Sequence, residues 1–413
     1  MSGGDQEDAR GVATRRAALR LLDAVLRRGQ TLDAALPGAT RELERTDDRA
    51  FALAIAAEAL RWLPDLDALI DRATRDPLPA DAKARAVLQL ALVQALRLGT
   101  APHAAIATAL PLLTGGPRRL VHGVFGTLLR QGATLPELPA LPAPVAARWR
   151  AAWGGPAIEN ARHALAEPPP LDVTLRNPDD HGGLDGEALY PGQRRLPRGQ
   201  DPARLPGFAE GKWWVQNAAA ALPARLLERT EGRTALDLCA APGGKTLQLA
   251  AAGWRVTAVD RSASRLHRLR ENLLRTGLRA EVVEADLLAW TPTAPVDGIL
   301  LDAPCSATGT FARHPDVLHR VRPADIAHLA DLQHRLLARA ATWLKPGGRL
   351  VFATCSLEPE EGEDVAARVP LPTDFVDEDE LPPFATLTAN GWVRILPQPG
   401  IDGFFVARFR APS

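Results

Sequence analysis

Between residues 10 and 135 apolar positions recur three and four apart almost without a break. Ala18, Leu21, Leu22, Val25 and Leu26 form one such set; Phe51, Ala54, Ile55, Ala59 and Trp62 a second; Leu88, Leu92, Ala95 and Leu96 a third. That spacing lines one face of an α-helix and predicts an all-helical bundle over residues 1–136. Asp47 and Asp48 ahead of the Phe51 helix, and Asp81 ahead of the Leu88 helix, are expected as N-terminal caps. Proline then becomes dense, at 138–144 and again at 168–170, which marks a linker stiffened by fixed φ angles. Between the two proline runs, 145–153 and 158–166 each read as a short helix. Residues 171–176 alternate like a strand and Asn177-Pro178-Asp179-Asp180 reads as a turn, so 137–212 is expected to be a small α+β subdomain. Residues 213–216 read as a strand feeding a helix over 218–228, and packing between subdomains, rather than stacking on bases, is the expected use of Trp213 and Trp214.

After Gly232 the pattern changes to strand and helix in alternation. Strands are expected near 234–239, 255–260, 280–284, 297–302 and 348–354, with helices at 244–252, 263–276 and 323–344. Such alternation predicts an α/β fold over 213–413, a parallel sheet with both faces covered. Right-handed crossovers put the carboxyl ends of its strands along one edge, where open sheets bind ligands. A final strand at 403–408 is expected to join antiparallel.

Composition narrows this picture mainly by exclusion. A chain of 413 residues has room for two or three domains, and no run of about 18 apolar residues is present. The opening Met1-Ser2-Gly3-Gly4-Asp5-Gln6-Glu7-Asp8 is polar and acidic, so an unexported, cytoplasmic protein without a membrane partner is expected. Basic and acidic residues balance at 49 each, so any nucleic-acid binding has to use local patches. Only Lys83, Lys212, Lys245 and Lys345 are lysines; the other cations are arginines, which grip phosphates by paired hydrogen bonds. Cys239, Cys305 and Cys355 make neither a disulfide framework nor a zinc-ligand spacing, so no metal is expected. His103 and His122 stand alone and are expected to pack rather than to ligate. No heptad run or self-pairing edge is visible, and a monomer is expected.

The candidate chemistry lies on the edge of the predicted sheet. Leu236-Asp237-Leu238-Cys239-Ala240-Ala241-Pro242-Gly243-Gly244-Lys245-Thr246 runs from a strand through a glycine turn into a helix. The two glycines bare the backbone, and the first helical amides present the positive end of a dipole, which suits an anionic group. The spacing is neither the dinucleotide fingerprint nor the nucleoside-triphosphate loop. Asp260 ends the second strand, placed either to accept from ribose hydroxyls or, with Ser262, to cap the following helix. Asp286 ends the third and is placed to accept from an adenine amino group. Together they describe a site for an adenosine compound with a charged tail, which S-adenosyl-L-methionine fits better than NAD.

Asp302-Ala303-Pro304-Cys305-Ser306 and Thr354-Cys355-Ser356 follow the next two strands, so two thiols are expected at the same edge as the cofactor. C5 of a cytosine is a poor nucleophile until something adds to C6, and a thiolate can do so. Asp302, acting on the Watson–Crick edge, could stabilise the activated ring. Either thiol could supply the nucleophile on these grounds alone.

Two resemblances extend this reading. The helical segment resembles the NusB-like RNA-binding domain, through Arg15-Arg16-Ala17-Ala18, Thr46-Asp47-Asp48-Arg49-Ala50-Phe51, Arg61 and Pro102-His103-Ala104-Ala105-Ile106. Leu120-Val121-His122-Gly123-Val124 extends the likeness, although that family usually has Asn-Ala in place of His122-Gly123. From about residue 213 the chain resembles the Nop/Sun family of RNA cytosine-C5 methyltransferases, on the Cys239–Thr246 turn, the two cysteine motifs, Arg313-His314-Pro315-Asp316 and Asp402-Gly403-Phe404-Phe405-Val406-Ala407. The resemblance implies a Rossmann-like methyltransferase sheet holding S-adenosyl-L-methionine at Cys239, Ala240, Ala241, Pro242, Gly243, Gly244, Lys245, Asp260, Asp286 and Asp302. It also implies Cys355 as nucleophile, Cys305 assisting its release, and RNA as partner, small-subunit ribosomal RNA ahead of transfer RNA. A non-catalytic RNA-binding assembly factor would leave the thiol pair without a purpose. A DNA cytosine methyltransferase is disfavoured by the Thr-Cys-Ser segment and by the lack of Glu-Asn-Val. Gln216-Asn217 stands where the Nop/Sun family commonly has Gln-Asp.

Overall fold

A computed structural model describes residues 3–180 and 183–413, which pack as two compact units. The first comprises the residues up to Ala151, with Ala161–Glu167 and Arg313–Val321; the second comprises Ala152–Asn160, Pro168–Ala312 and Arg322–Ser413.

The first unit is helical. It holds α1 (Gly3–Arg28), α2 (Leu32–Ala39), α3 (Thr46–Arg61), α4 (Leu63–Arg72), α5 (Lys83–Leu96), α6 (Pro102–Ala109) and α7 (Gly115–Arg130). Leu21, Leu22, Ile55, Leu88, Leu92 and Val121 meet in its core, as their spacing requires. Leu26 and Ala54, expected on the same faces, are instead exposed, because each falls outside the face that its helix buries. Two expected caps are corrected. Helix α3 begins at Thr46 with Arg45 at the cap, so Asp47 and Asp48 lie in the first turn, where their charge faces the positive end of the helix, and Asp48 pairs with Arg10 at 2.7 Å. Helix α5 has Ala82 at its cap, leaving Asp81 outside. Arg61 is buried: it pairs with Glu58 at 3.2 Å, and Glu58 also accepts from the Trp62 indole at 2.9 Å and from Arg97 at 3.1 Å.

The proline-rich stretch is tied down rather than free. The amide of Ala140 donates to Asp65, and Arg162 donates to the carbonyls of Leu138 and Pro139. The two short helices expected after it are both present, end to end within α8 (Ala143–Ala166) and separated by a kink at Gly154, whose φ of 79° no continuous helix permits.

Within the second unit, a small antiparallel sheet has the order β2-β3-β1-β4, with β1 (Leu171–Leu175), β2 (Glu187–Tyr190), β3 (Gln193–Leu196) and β4 (Trp213–Val215). Strand β4 therefore pairs with β1, so this sheet extends three residues beyond 212. Alternation along β4 sends Trp213 into a cluster with Val173 and Leu196, and Trp214 into one with Leu247, Leu266 and Leu269. Both rings are buried, as expected of packing residues. Helix α9 (Ala218–Arg225) stops short of Glu228, which adopts a left-handed φ of 61°.

The main sheet has eight strands in the order β10-β11-β12-β9-β8-β5-β6-β7. Strands β5 (Thr234–Leu238), β6 (Arg255–Asp260), β7 (Glu281–Glu284), β8 (Val296–Asp302) and β9 (Leu344–Thr354) run parallel. Strands β10 (Thr386–Leu387), β11 (Val393–Ile395) and β12 (Phe404–Arg410) complete it antiparallel, with β12 against β9. Helices α10 (Gly244–Ala251) and α11 (Ala263–Thr276) connect the strands on one side of β5. A short α12 (Val317–Arg320), which packs in the first unit, and α13 (Pro323–Ala341) lie between β8 and β9. The chain leaves β5 for β6 on one side and returns to β8 on the other, and that reversal of order opens a crevice at the carboxyl ends.

Asn217 has a specific place in this unit. Its Oδ1 accepts from the Ala219 amide at 3.0 Å and caps α9, while its Nδ2 donates to Asp172 at 3.2 Å and to the Gly400 carbonyl at 3.3 Å. Asp172 is buried on β1 and is also gripped by Arg195 at 2.8 and 3.1 Å. An aspartate at 217 could cap the helix equally well but would offer Asp172 and Gly400 no donor. Asn217→Asp is therefore expected to lower unfolding free energy by about 1–3 kcal/mol at neutral pH. The loss should shrink in acid, where the two carboxyls can share a proton; urea melts at both pH values measure it, and a variant as stable as the parent refutes it.

Candidate active site

The glycine turn between β5 and α10 is held from below by β6. The amides of Ala240 and Ala241 donate to the Val259 carbonyl and to the Asp260 carboxylate, both at 3.1 Å, and the Arg265 guanidinium donates to the Ala241 carbonyl. Gly243 has φ of 108°, and a Cβ there would come within 2.2 Å of Leu269, so glycine is required twice over. Pro242 is exposed at the tip. The amide of Ser262 donates to Asp260, and Ser262 itself caps α11, so the cap expected of the pair belongs to the serine.

Beside this turn lies a cavity of about 420 Å³. Its wall brings together six of the residues singled out from the sequence: Cys239, Asp260, Asp286, Asp302, Cys305 and Cys355. Ala240, Ala241, Gly243 and Gly244 form the turn behind it instead of lining it. Arg261, Arg265 and the apolar Leu287, Leu288, Leu332 and Leu336 complete the wall. The lining fits an adenosine compound: acids at two neighbouring strand tips for hydroxyl and amino groups, and leucines for the faces of a ring.

The sulfurs of Cys305 and Cys355 are 3.4 Å apart. Pairing of Asp302 with Ala353 on parallel strands sets the loops after β8 and β9 abreast, and the carbonyl of Cys355 accepts from the Gly309 amide at 2.9 Å. The surroundings of the two thiols differ. The Cys305 thiol is held well above its ordinary range by its hydrogen bond to Cys355, by burial and by the negative charge of Glu361. On the Cys355 side lies the Lys245 ammonium; burial alone would depress it, but the charges of Asp302 and Cys355 more than offset this and keep it protonated. Lys245 donates to Asp302 at 2.8 Å. Its sequence position pointed to the cofactor turn; the structure aims its charge at Asp302. The Cys239 thiol is pushed far up by burial and then by Asp260, Asp302 and Asp237, so it stays neutral and belongs to the wall.

Sequence reasoning missed Asp237 and Glu361. Asp237, fully buried in β5, accepts from Thr246 at 2.5 Å, and its other oxygen has no hydrogen-bond partner among the described residues. Burial, followed by the charge of Asp302, raises its carboxyl to about 7 against the partial relief given by Thr246. The folded chain thus holds this proton more tightly than the unfolded chain. Its ionisation costs stability progressively from about pH 4 to about pH 7, at up to about 1.4 kcal/mol per pH unit, and no further above that. Asp237→Asn is expected to remove that downward slope; parallel stability-against-pH curves for the two proteins would rule the effect out.

A family profile described as 16S rRNA methyltransferase RsmB/F matches residues 224–410, and one described as the NusB family matches 12–114. The ribosomal RNA small subunit methyltransferase B of Pseudomonas syringae pv. tomato is 35% identical over 95% of this chain and 96% of its own length. That of Xylella fastidiosa is 36% identical over 96% and 98%. Among solved structures, PH0851 superposes with a TM-score of 0.71 at 22% identity, covering 95% of this chain and 98% of its own, which speaks for the fold. With a helical NusB region ahead of a methyltransferase sheet, this chain belongs to the RsmB/F family of 16S rRNA methyltransferases.

Proposed function

We propose that the chain transfers a methyl group from S-adenosyl-L-methionine to C5 of a cytidine in small-subunit ribosomal RNA, with Cys355 as nucleophile, Cys305 as the group that assists its release and Asp302 as the residue that steadies the base. The observation that carries this reading is the 3.4 Å approach of two thiols on the wall of the cavity that Asp260, Asp286 and Asp302 share.

The cofactor, when bound, supplies an electrophilic methyl group. Cys239 to Lys245, Asp260, Asp286 and Asp302 are the residues proposed to hold it, the acids accepting from its hydroxyl and amino groups. The hydrogen bond to Cys355, burial and the Glu361 charge hold the Cys305 thiol well above its ordinary range, so Cys305 keeps its proton. The Cys355 thiolate adds to C6 and makes C5 nucleophilic. Asp302, steadied by Lys245, hydrogen-bonds the Watson–Crick edge as the ring gains electron density. Once C5 has received the methyl group, a base takes the C5 proton, the C–H electron pair reforms the C5–C6 double bond, and the C6–S bond breaks with its pair returning to the Cys355 sulfur, a release that the adjoining Cys305 assists. Residues 1–136 serve as the RNA-binding module, 137–212 as the connecting subdomain and 213–413 as the catalytic domain. The protein works as a monomer in the cytoplasm; among the described residues no helix is long and apolar enough to cross a membrane.

Incubation with labelled cofactor and small-subunit RNA lacking the modification should yield 5-methylcytidine; none formed by folded protein on naked RNA or on assembling subunits rejects the reading. Cys355→Ala should abolish turnover, a loss of at least about 10⁴-fold. Cys305→Ala should instead accumulate a protein–RNA adduct stable in denaturant. An adduct trapped by the Cys355 variant and not by the Cys305 variant would exchange the two roles.

A further inference from the structure

The loops that carry the two thiols share one buried carboxylate. Each cysteine is followed by a serine, and both serines turn inward to Glu361, which is itself fully buried. Glu361 Oε1 accepts from the Ser306 amide at 2.8 Å and from Gln333 on α13 at 3.0 Å. Glu361 Oε2 accepts from the Ser306 hydroxyl and, at 2.6 Å, from the Ser356 hydroxyl. Gln333 also donates to the Pro304 carbonyl at 2.9 Å, and Thr308 accepts from the Leu357 amide at 3.0 Å. One carboxylate and its partners therefore staple the loop after β8 to the loop after β9 directly beneath Cys305 and Cys355.

All four donors to Glu361 are neutral. Burying a carboxylate without a cation costs stability that hydrogen bonds only partly recover, and an apolar filling of the same volume would be at least as stable. Burial pushes its carboxyl up, with the serines and Gln333 working against that shift. A residue kept for stability alone would not need this arrangement, whereas a chemistry that needs two sulfurs held at a fixed separation does.

We propose that Glu361 is a positioning residue for the thiol pair: through Ser306 and Ser356 it fixes the separation of the Cys305 and Cys355 sulfurs. This rests on the methyltransferase reading above for its purpose, though not for its geometry. Glu361 touches neither sulfur's reaction partner; it acts through the two serines.

The test uses the full-length protein and two readouts. The first, made without RNA or cofactor, is the rate at which the thiol oxidant diamide joins Cys305 to Cys355, followed by mass of the linked peptides. Glu361→Ala should slow this joining about 10-fold or more, and Glu361→Gln, which can still accept from one serine and donate to the other, should restore most of it. The second is turnover: a displacement on the order of 1 Å at a reacting atom costs about 100-fold, so Glu361→Ala should lower kcat by about that factor with cofactor affinity unchanged. If Glu361→Ala fails to fold, Ser356→Ala, which cuts one loop from the carboxylate and leaves the other donors, should slow both readouts in the same direction. Unchanged joining and unchanged kcat in the variants overturn the proposal, as does a loss in Glu361→Gln equal to that in Glu361→Ala and matched by weaker cofactor binding. Wild-type protein that methylates no RNA while its joining rate still depends on Glu361 sinks the proposed function and leaves this inference standing.

Discussion

The parallel hydrogen-bonded register of β8 with β9 is the constraint on which the site depends. Leu301 lies opposite Phe352 and Asp302 opposite Ala353, so whatever follows the two strands emerges side by side. Neither loop could bring its sulfur to the other alone, since 50 residues of chain separate them. The sheet makes that distance irrelevant, because all its parallel strands discharge on one edge. The same register sets Leu238 against Leu301 and Val259, which brings the glycine turn and Asp260 to the same place. Once those strands pair, the cavity wall and its acids gather at one edge, and the Glu361 network and β12 then fix the loops that carry the thiols.

Around that edge the protein spends buried polar groups unusually freely. Asp237, Asp260 and Glu361 are all buried within the reach of three successive loops, and Lys245 is the buried cation among them. Inside a low-dielectric wall each charge acts strongly on its neighbours, and the Cys305 thiol is held up by its hydrogen bond to Cys355, by burial and by Glu361. Elsewhere in the same unit the polar groups serve structure alone. Asp172 gathers Arg195, Asn217 and the Ala218 amide at a junction between the small sheet and α9, and Arg408 joins β12 to Asp374 and Glu380.

Much of this was legible before any coordinates. Parallel strands buried on both faces read as apolar runs, which is why β5, β6 and β8 begin and end within a residue or two of where Ala235, Val256 and Ile299 indicate. Cysteine motifs directly after such strands must lie at the edge. Other features could not be read. Strands β2 and β3 carry Glu187, Arg194 and Arg195 and look like loop; only their pairing with β1 makes them strands. Glu361 lies in Glu358-Pro359-Glu360-Glu361-Gly362, a stretch that reads as a solvated acidic loop until the fold turns one of its carboxylates inward. Lys245 belongs by position to the cofactor turn, and only a side-chain direction reveals its attachment to Asp302. Leu26 and Ala54 fit the helical period but lie just off its buried stripe.

Gly309 and Gly403 meet backbone to backbone: a Cβ on Gly309 would come within 2.2 Å of the Gly403 carbonyl, whose own amide donates to the Gly309 oxygen at 2.9 Å. Gly403 opens β12, which inserts between β9 and β11 although it follows both in the chain. During synthesis, the helices of the first 130 residues can therefore settle while the remainder is still being made, but the thiol-bearing loops reach their final support only after residue 410 has left the ribosome. Until then the loop after β8 carries its sulfur without the backbone edge that Gly309 is fitted to meet.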